Sequence, residues 1–256
     1  MAEILGSPDP WSAYALLLFI TFTASLARGF SGFGAALIFV PLVSALFGPQ
    51  VAAPLLLVTD SLMSLPLIPR AIRLADRREA AIMATGAILG VPAGTWALAT
   101  LDASVLRWII SAVAGAMLIL LASGWRYQGQ PKPPLTVVVG LVSGICSGAA
   151  QIGGPPVVAY WLGGRTNAAT VRANIVFFFA LTSILSILGY VVGGLVPLHI
   201  LTLAALIAPV YGLGLWLGSH MFGLASETTF RRICLALIAT ATLISLPVLD
   251  GWLRGG

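Results

Sequence analysis

From Gly29 to Thr59 this chain carries no charged side chain, and from Ala173 to Ser226 its only Lys, Arg, His, Asp or Glu residues are His199 and His220. Further uncharged runs cover residues 61–69, 80–101, 108–125, 133–164 and 233–249. Charged residues make up 8% of the chain, against about 25% in a soluble domain. That is too little to wet a water-facing surface. With 59% apolar residues and a mean hydropathy of +1.03, the outer face has to meet lipid. The fold class that follows is an all-α polytopic membrane protein, with the lipid bilayer as its first partner.

A helix needs about 20 residues to cross the hydrocarbon core. The runs predict helices over 51–69, 80–100, 105–125, 173–193, 198–222 and 230–249. Two stretches, 12–47 and 134–164, do not fit a single crossing. As one helix the first would reach roughly 54 Å at about 1.5 Å per residue, against a core of about 30 Å. Each holds a glycine-rich break near its middle, Gly29-Phe-Ser-Gly-Phe-Gly34 and Gly148-Ala-Ala-Gln-Ile-Gly-Gly-Pro-Pro156. Both are read as broken or re-entrant.

The breaks belong to an internal repeat. Gly34 and Gly154 stand 120 residues apart, as do Trp96 and Trp216, and Leu106-Arg107 is matched by Phe230-Arg231. Each half reads as one broken segment followed by three transmembrane helices. The expected division is a first repeat over 1–127, a cytoplasmic linker over 128–134 and a second repeat over 135–256. The leader before residue 13 holds Glu3 and Asp9 and no Lys or Arg. The apolar stretch after it is therefore expected to be part of the mature protein and not a signal peptide.

Loop charges predict that the halves are inverted. Arg70, Arg73, Arg77 and Arg78 crowd the loop after the helix over 51–69, while its counterpart, residues 193–199, has no Lys or Arg. If each broken segment enters and leaves on one side, ten of the 13 positives (70, 73, 77, 78, 126, 132, 165, 172, 231 and 232) fall inside. Lys and Arg favour the cytoplasmic side. The basic excess therefore reads as topology and not as a nucleic-acid surface. Cys146 and Cys234 lie inside apolar runs without metal-ligand spacing, so no metal site or disulfide framework is expected. No cofactor is expected either.

The run from Gly29 to Pro41, with Gly29-Phe-Ser-Gly-Phe-Gly34 at its head, resembles the first signature of the TauE/SafE (sulfite exporter) family. The run from Gly140 to Pro156 resembles the second, and Arg172-Ala173-Asn174 resembles the opening of a second-half helix. Where the family often has a third glycine, this chain has Pro155 and Pro156. The resemblance extends across nearly the whole chain. It implies an exporter of a small sulfur-containing anion (sulfite, sulfoacetate or another sulfonate) in the bacterial inner membrane. The oligomeric state stays open, a homo-oligomer among the options.

The residues themselves suggest a compatible mechanism. Half-helices starting near Gly34 and Pro155 would aim free N–H groups and positive dipole ends at an anion near the midplane. Candidate substrate-binding residues are Arg28, Ser31, Gly32, Phe33 and Gly34 at the first break. At the second they are Gln151, Gly153 and Gly154, with Asn174 on a neighbouring helix. Ser31 and Gln151 can donate to the anion or satisfy the broken backbone. Arg28 can pair with the anion or snorkel to headgroups. Scattered glycines such as Gly86 and Gly90 are read as helix packing. Asp60 sits mid-span, where an ionised Asp costs about 2.5–3.5 kcal/mol, and is the candidate proton-coupling residue. A passive anion channel would use the same glycines and dipoles. An embedded enzyme would need a convergent catalytic set, for which no HExxH, GxSxG or paired intramembrane carboxylates appear.

Overall fold

The computed structural model describes residues 10–31, 34–162, 167–221 and 227–249, and among these there is no strand. The helices are α1 (Pro10–Ser31), α2 (Ala35–Phe47), α3 (Pro49–Ser64), α4 (Ile68–Leu74), α5 (Arg77–Thr100) and α6 (Ala103–Ser123). They continue with α7 (Pro133–Ala150), α8 (Gly154–Trp161), α9 (Ala168–Val192), α10 (Leu198–Met221) and α11 (Glu227–Ile244). Among the described residues, seven spans are long and apolar enough to cross a membrane. Both overlong stretches are broken where the glycines lie, α1 from α2 and α7 from α8. The first broken segment is followed by α3 to α6, with an interruption between α3 and α4, and the second by α9 to α11.

Capping chemistry sets several boundaries. The Asp76 carboxylate accepts from the Arg78 and Glu79 N–H groups at 3.1 Å each, so α5 starts three residues before the uncharged run does. Asn167 caps α9 through the Thr170 N–H at 2.8 Å. The helix expected over 51–69 is interrupted by a 3-10 turn at Leu65–Leu67, followed by α4. Pro66 and Pro69 explain it, because neither brings an N–H to the ladder. Pro247 ends α11 in the same way, ahead of the 3-10 turn Pro247–Leu249.

In lipid the hydrophobic effect does not hold helices together, so close van der Waals contact must. Two helix pairs achieve it with glycine. On α5, Gly86, Gly90 and Gly94 face Gly140, Gly144 and Gly148 of α7, and a Cβ at any of the six would run into the partner's backbone. Their matching order along the two helices makes the pair parallel. Between α1 and α10, a Cβ at Gly29 or Gly218 would run into the partner's backbone in the same manner, and one at Gly214 would run into Ser25 and Phe22 of α1. The packing reading of Gly86 and Gly90 therefore holds, and each pairing joins one half to the other.

Buried side chains gather into two main clusters. One joins α1, α2, α3, α6, α10 and α11 around Phe39, Leu55, Ile110 and Tyr211. The other joins α5, α8 and α9 around Met83, Tyr160, Trp161 and Phe178. A small third cluster of Ala53, Leu57, Leu98, Leu106 and Tyr190 connects them at one end. Both groupings draw helices from either side of residues 128–134. Trp96 and Trp216, 120 residues apart, stand 65% and 57% exposed on the outside of the helices.

Hydrogen bonds fix where the broken segments end. The Tyr160 hydroxyl, near the end of α8, accepts from the Lys132 N–H at 3.2 Å and shares a 2.6 Å bond with Thr136 at the start of α7. Trp161 donates to Glu79 in the first turn of α5 at 2.9 Å. The second broken segment thus returns to the end of the bundle from which it sets out. At the opposite end Gln50, opening α3, donates to the Leu101 carbonyl just past α5 at 3.4 Å. Leu101 and Ala53 there share the third cluster with Leu195 and Val196, which precede α10.

Candidate functional site

The two breaks converge on one internal cavity of about 50 Å³. From the first half it is lined by Arg28, residues 34–37, Leu56, Leu57, Asp60 and Ser61. From the second come Ser147, Gln151, Ile152, Gly154, Pro155, Phe179, Thr182 and Ser183. It lies at the seam between the two main clusters. A water position needs roughly 10–15 Å³ on this measure, so the space suits a few waters or one compact anion. A larger open hollow of about 520 Å³ along Gly124–Gln128 is a surface concavity in the α6–α7 loop.

An ion pair forms one wall. Arg28 Nε donates to Asp60 Oδ1 at 2.7 Å, with the two side chains 20% and 26% exposed. Arg28 Nη2 donates to Ser64 Oγ at 2.9 Å. The Tyr211 hydroxyl, on α10 and fully buried, donates to the same Asp60 oxygen at 2.6 Å. Arg28 therefore turns inward to a partner on α3 and does not reach for headgroups. Beside Asp60 in the lining, Ser61 carries a buried Oγ with no hydrogen-bond partner.

The start of α2 forms another wall. Gly34 caps it with φ of 103°, a left-handed conformation that a residue with a Cβ adopts only at a cost. Ala35, Ala36 and Leu37 of its first turn line the cavity; the Leu37 N–H donates to the Gly34 carbonyl at 3.1 Å, and the Ala35 and Ala36 N–H groups come too early in the helix to have an intrahelical acceptor. At the second break α8 also starts on the cavity, but Pro155 and Pro156 remove two donors.

The remaining predicted residues divide. Gln151 lines the cavity, yet its amide donates to the Ser147 carbonyl at 2.8 Å and the Tyr190 hydroxyl at 3.3 Å. Its backbone is left-handed, with φ of 59°, and Tyr190 in turn donates to the Gly148 carbonyl at 2.7 Å. Together they satisfy carbonyls exposed where α7 ends. Gly154 lines the cavity. Gly153 is buried behind it, its carbonyl accepting from Ser143 at 2.8 Å. Asn174 is buried but accepts from the Asp76 N–H at 2.7 Å, tying α9 to the start of α5 and not to the cavity. Gly32, Phe33 and the Ser31 side chain lie outside the described residues.

Sequence reading missed Tyr211, Ser64, Thr182 and Ser183. A signal existed for Tyr211, since tyrosines in membrane proteins favour the interfaces and this one falls mid-span. The ion pair and its tyrosine are also not repeated along the chain. At the 120-residue offset, Arg28, Asp60 and Tyr211 correspond to Gly148, Ala180 and Val91.

A multi-pass helical membrane protein, whose two helix breaks meet at an internal cavity walled by an ion pair, is what fold and site define. The chain belongs to the sulfite exporter TauE/SafE family, whose model matches residues 17–245. That is a family of membrane transporters. Neither a curated protein nor a solved structure matches the chain.

Proposed function

We propose that this protein is a secondary transporter that exports a small sulfur-containing anion across the bacterial inner membrane. The anion is sulfite, sulfoacetate or another sulfonate. It sits in the cavity between Arg28 and the N-terminal turn of α2, and Asp60 is the proton-coupling group. The observation that carries this reading is the convergence of both breaks, the inward-turned Arg28 and the unpartnered Ser61 hydroxyl on one space. A guanidinium, a hydroxyl and helix N–H groups are the donors that a compact oxyanion accepts from. The position at the seam between two clusters suits a carrier, whose parts rock around a fixed site. Proteoliposomes containing the protein should release trapped sulfite with saturable kinetics, and should concentrate it when a proton gradient is imposed. Sulfite flux that never saturates and never runs against a gradient would make the protein a channel.

In this reading the halves are inverted. Support comes from the end of α8 beside the start of α7 and from the opening of α3 at the opposite end. Arg77, Arg78, Lys132 and Arg172 gather at the first of these ends, which is then the cytoplasmic one. With Cys146 and Cys234 replaced, a cysteine at Gln128 should label only from the cytoplasm and one at Pro197 only from outside. Labelling of both from the same side would sink the inversion.

A further inference from the structure

We propose that Asp60 is the anion's internal competitor for Arg28, so that each anion enters the site together with one proton. The proposal rests on the cavity being the anion site and concerns how that site is regulated. Asp60 occupies Arg28 Nε at 2.7 Å, and both side chains line the cavity. Tyr211 donates to Asp60 from α10 at 2.6 Å, and Ser64 holds the far end of the guanidinium at 2.9 Å. The lining from α2, the second break and α9 carries no charge. Among the described residues, Arg28 and Asp60 are thus the charged groups facing the site, with Tyr211 the titratable group beside them.

The guanidinium cannot serve two anions equally. An ionised carboxylate about 5 Å from a bound anion weakens binding at least about a hundredfold at an effective dielectric of about 20. A proton taken from water onto the Asp60 carboxylate removes that repulsion and releases Arg28 Nε. It also turns Asp60 into a hydrogen-bond donor. The Tyr211 hydroxyl can accept as well as donate, so it keeps its bond to Asp60 in both states. Because the second half has Gly148, Ala180 and Val91 at the matching positions, there is one competitor, and the ratio is one proton to one anion.

The test is calorimetric titration of the purified protein with sulfite at about pH 5.5, in buffers of different ionisation heat, because a hundredfold coupling carries an ordinary carboxylate's protonation up by about two pH units and not into the alkaline range. The wild type should take up close to one proton more per sulfite than Asp60→Asn, a difference that cancels any proton sulfite itself gains or loses. Asp60→Asn should bind at least tenfold more tightly. Asp60→Glu should keep the extra uptake. If Asp60→Asn does not fold, Asp60→Ser makes the same comparison. Equal uptake in the wild type and the uncharged variants overturns the proposal, because Asp60 then takes no proton. If no form binds sulfite, the cavity reading fails, and this one with it.

Discussion

Arg28→Gln is expected to abolish saturable sulfite flux while leaving a folded protein. Losing one member of a desolvated, hydrogen-bonded charge pair costs about 2–5 kcal/mol, so affinity should fall at least roughly 30-fold. Glutamine keeps a donor and much of the length but neither the charge nor the forked geometry. The substitution also strands Asp60, whose remaining partner is the Tyr211 hydroxyl. The double variant Arg28→Gln/Asp60→Asn removes that complication by leaving the wall neutral. Sulfite flux from each variant in proteoliposomes, with elution volume as the check on folding, decides the matter. If the double variant is monodisperse and carries sulfite at the wild-type rate, Arg28 is not the anion's partner. Gly34 is a poorer probe of the same site, because its positive φ would strain any replacement whatever happened to binding.

The second large effect concerns the scaffold. Gly144→Leu should prevent recovery of monodisperse protein. A Cβ at this position would lie 2.9 Å from Ala87 Cα and 3.2 Å from Gly90 Cα, so backbone and not a flexible side chain stands in the way. Overpacking a rigid contact costs about 1–3 kcal/mol and occasionally more, and leucine here has to push α5 and α7 apart along their length. Contact between helices is the main attraction available in lipid, so the loss is not made up elsewhere. Gly115→Ala on α6 is the control, since its Cβ would meet only Thr242 Cγ2 at 3.8 Å. There alanine should be neutral or stabilise by up to about 1 kcal/mol. The two variants can be compared by thermal unfolding and elution profile in detergent. Equal stability would show that the glycine faces are not what joins α5 to α7.

Much of this architecture was legible in the chain because membrane thickness is a local ruler. An uncharged run longer than a crossing must break, and these break inside their glycine clusters, at Gly34 with its positive φ and from Gln151 to Gly153, where Gln151 is the left-handed residue. Asp60 stood out because a carboxylate among apolar neighbours needs a reason to be there. The partners of these groups were not legible. Tyr211 reaches Asp60 across 151 residues of sequence, and Asn174 reaches Asp76 across 98. Small residues permit a close helix contact without addressing it. Six glycines say that two helices touch closely, but not that α5 takes α7 or that α1 takes α10. Local energetics, chiefly the cost of charge and unpaired backbone in hydrocarbon, therefore determined from sequence alone that the chain crosses the membrane and where it breaks. Complementarity between surfaces distant in the chain decided the rest. Only the tertiary structure turned Arg28 away from the headgroups to Asp60 and brought the two breaks to a single cavity.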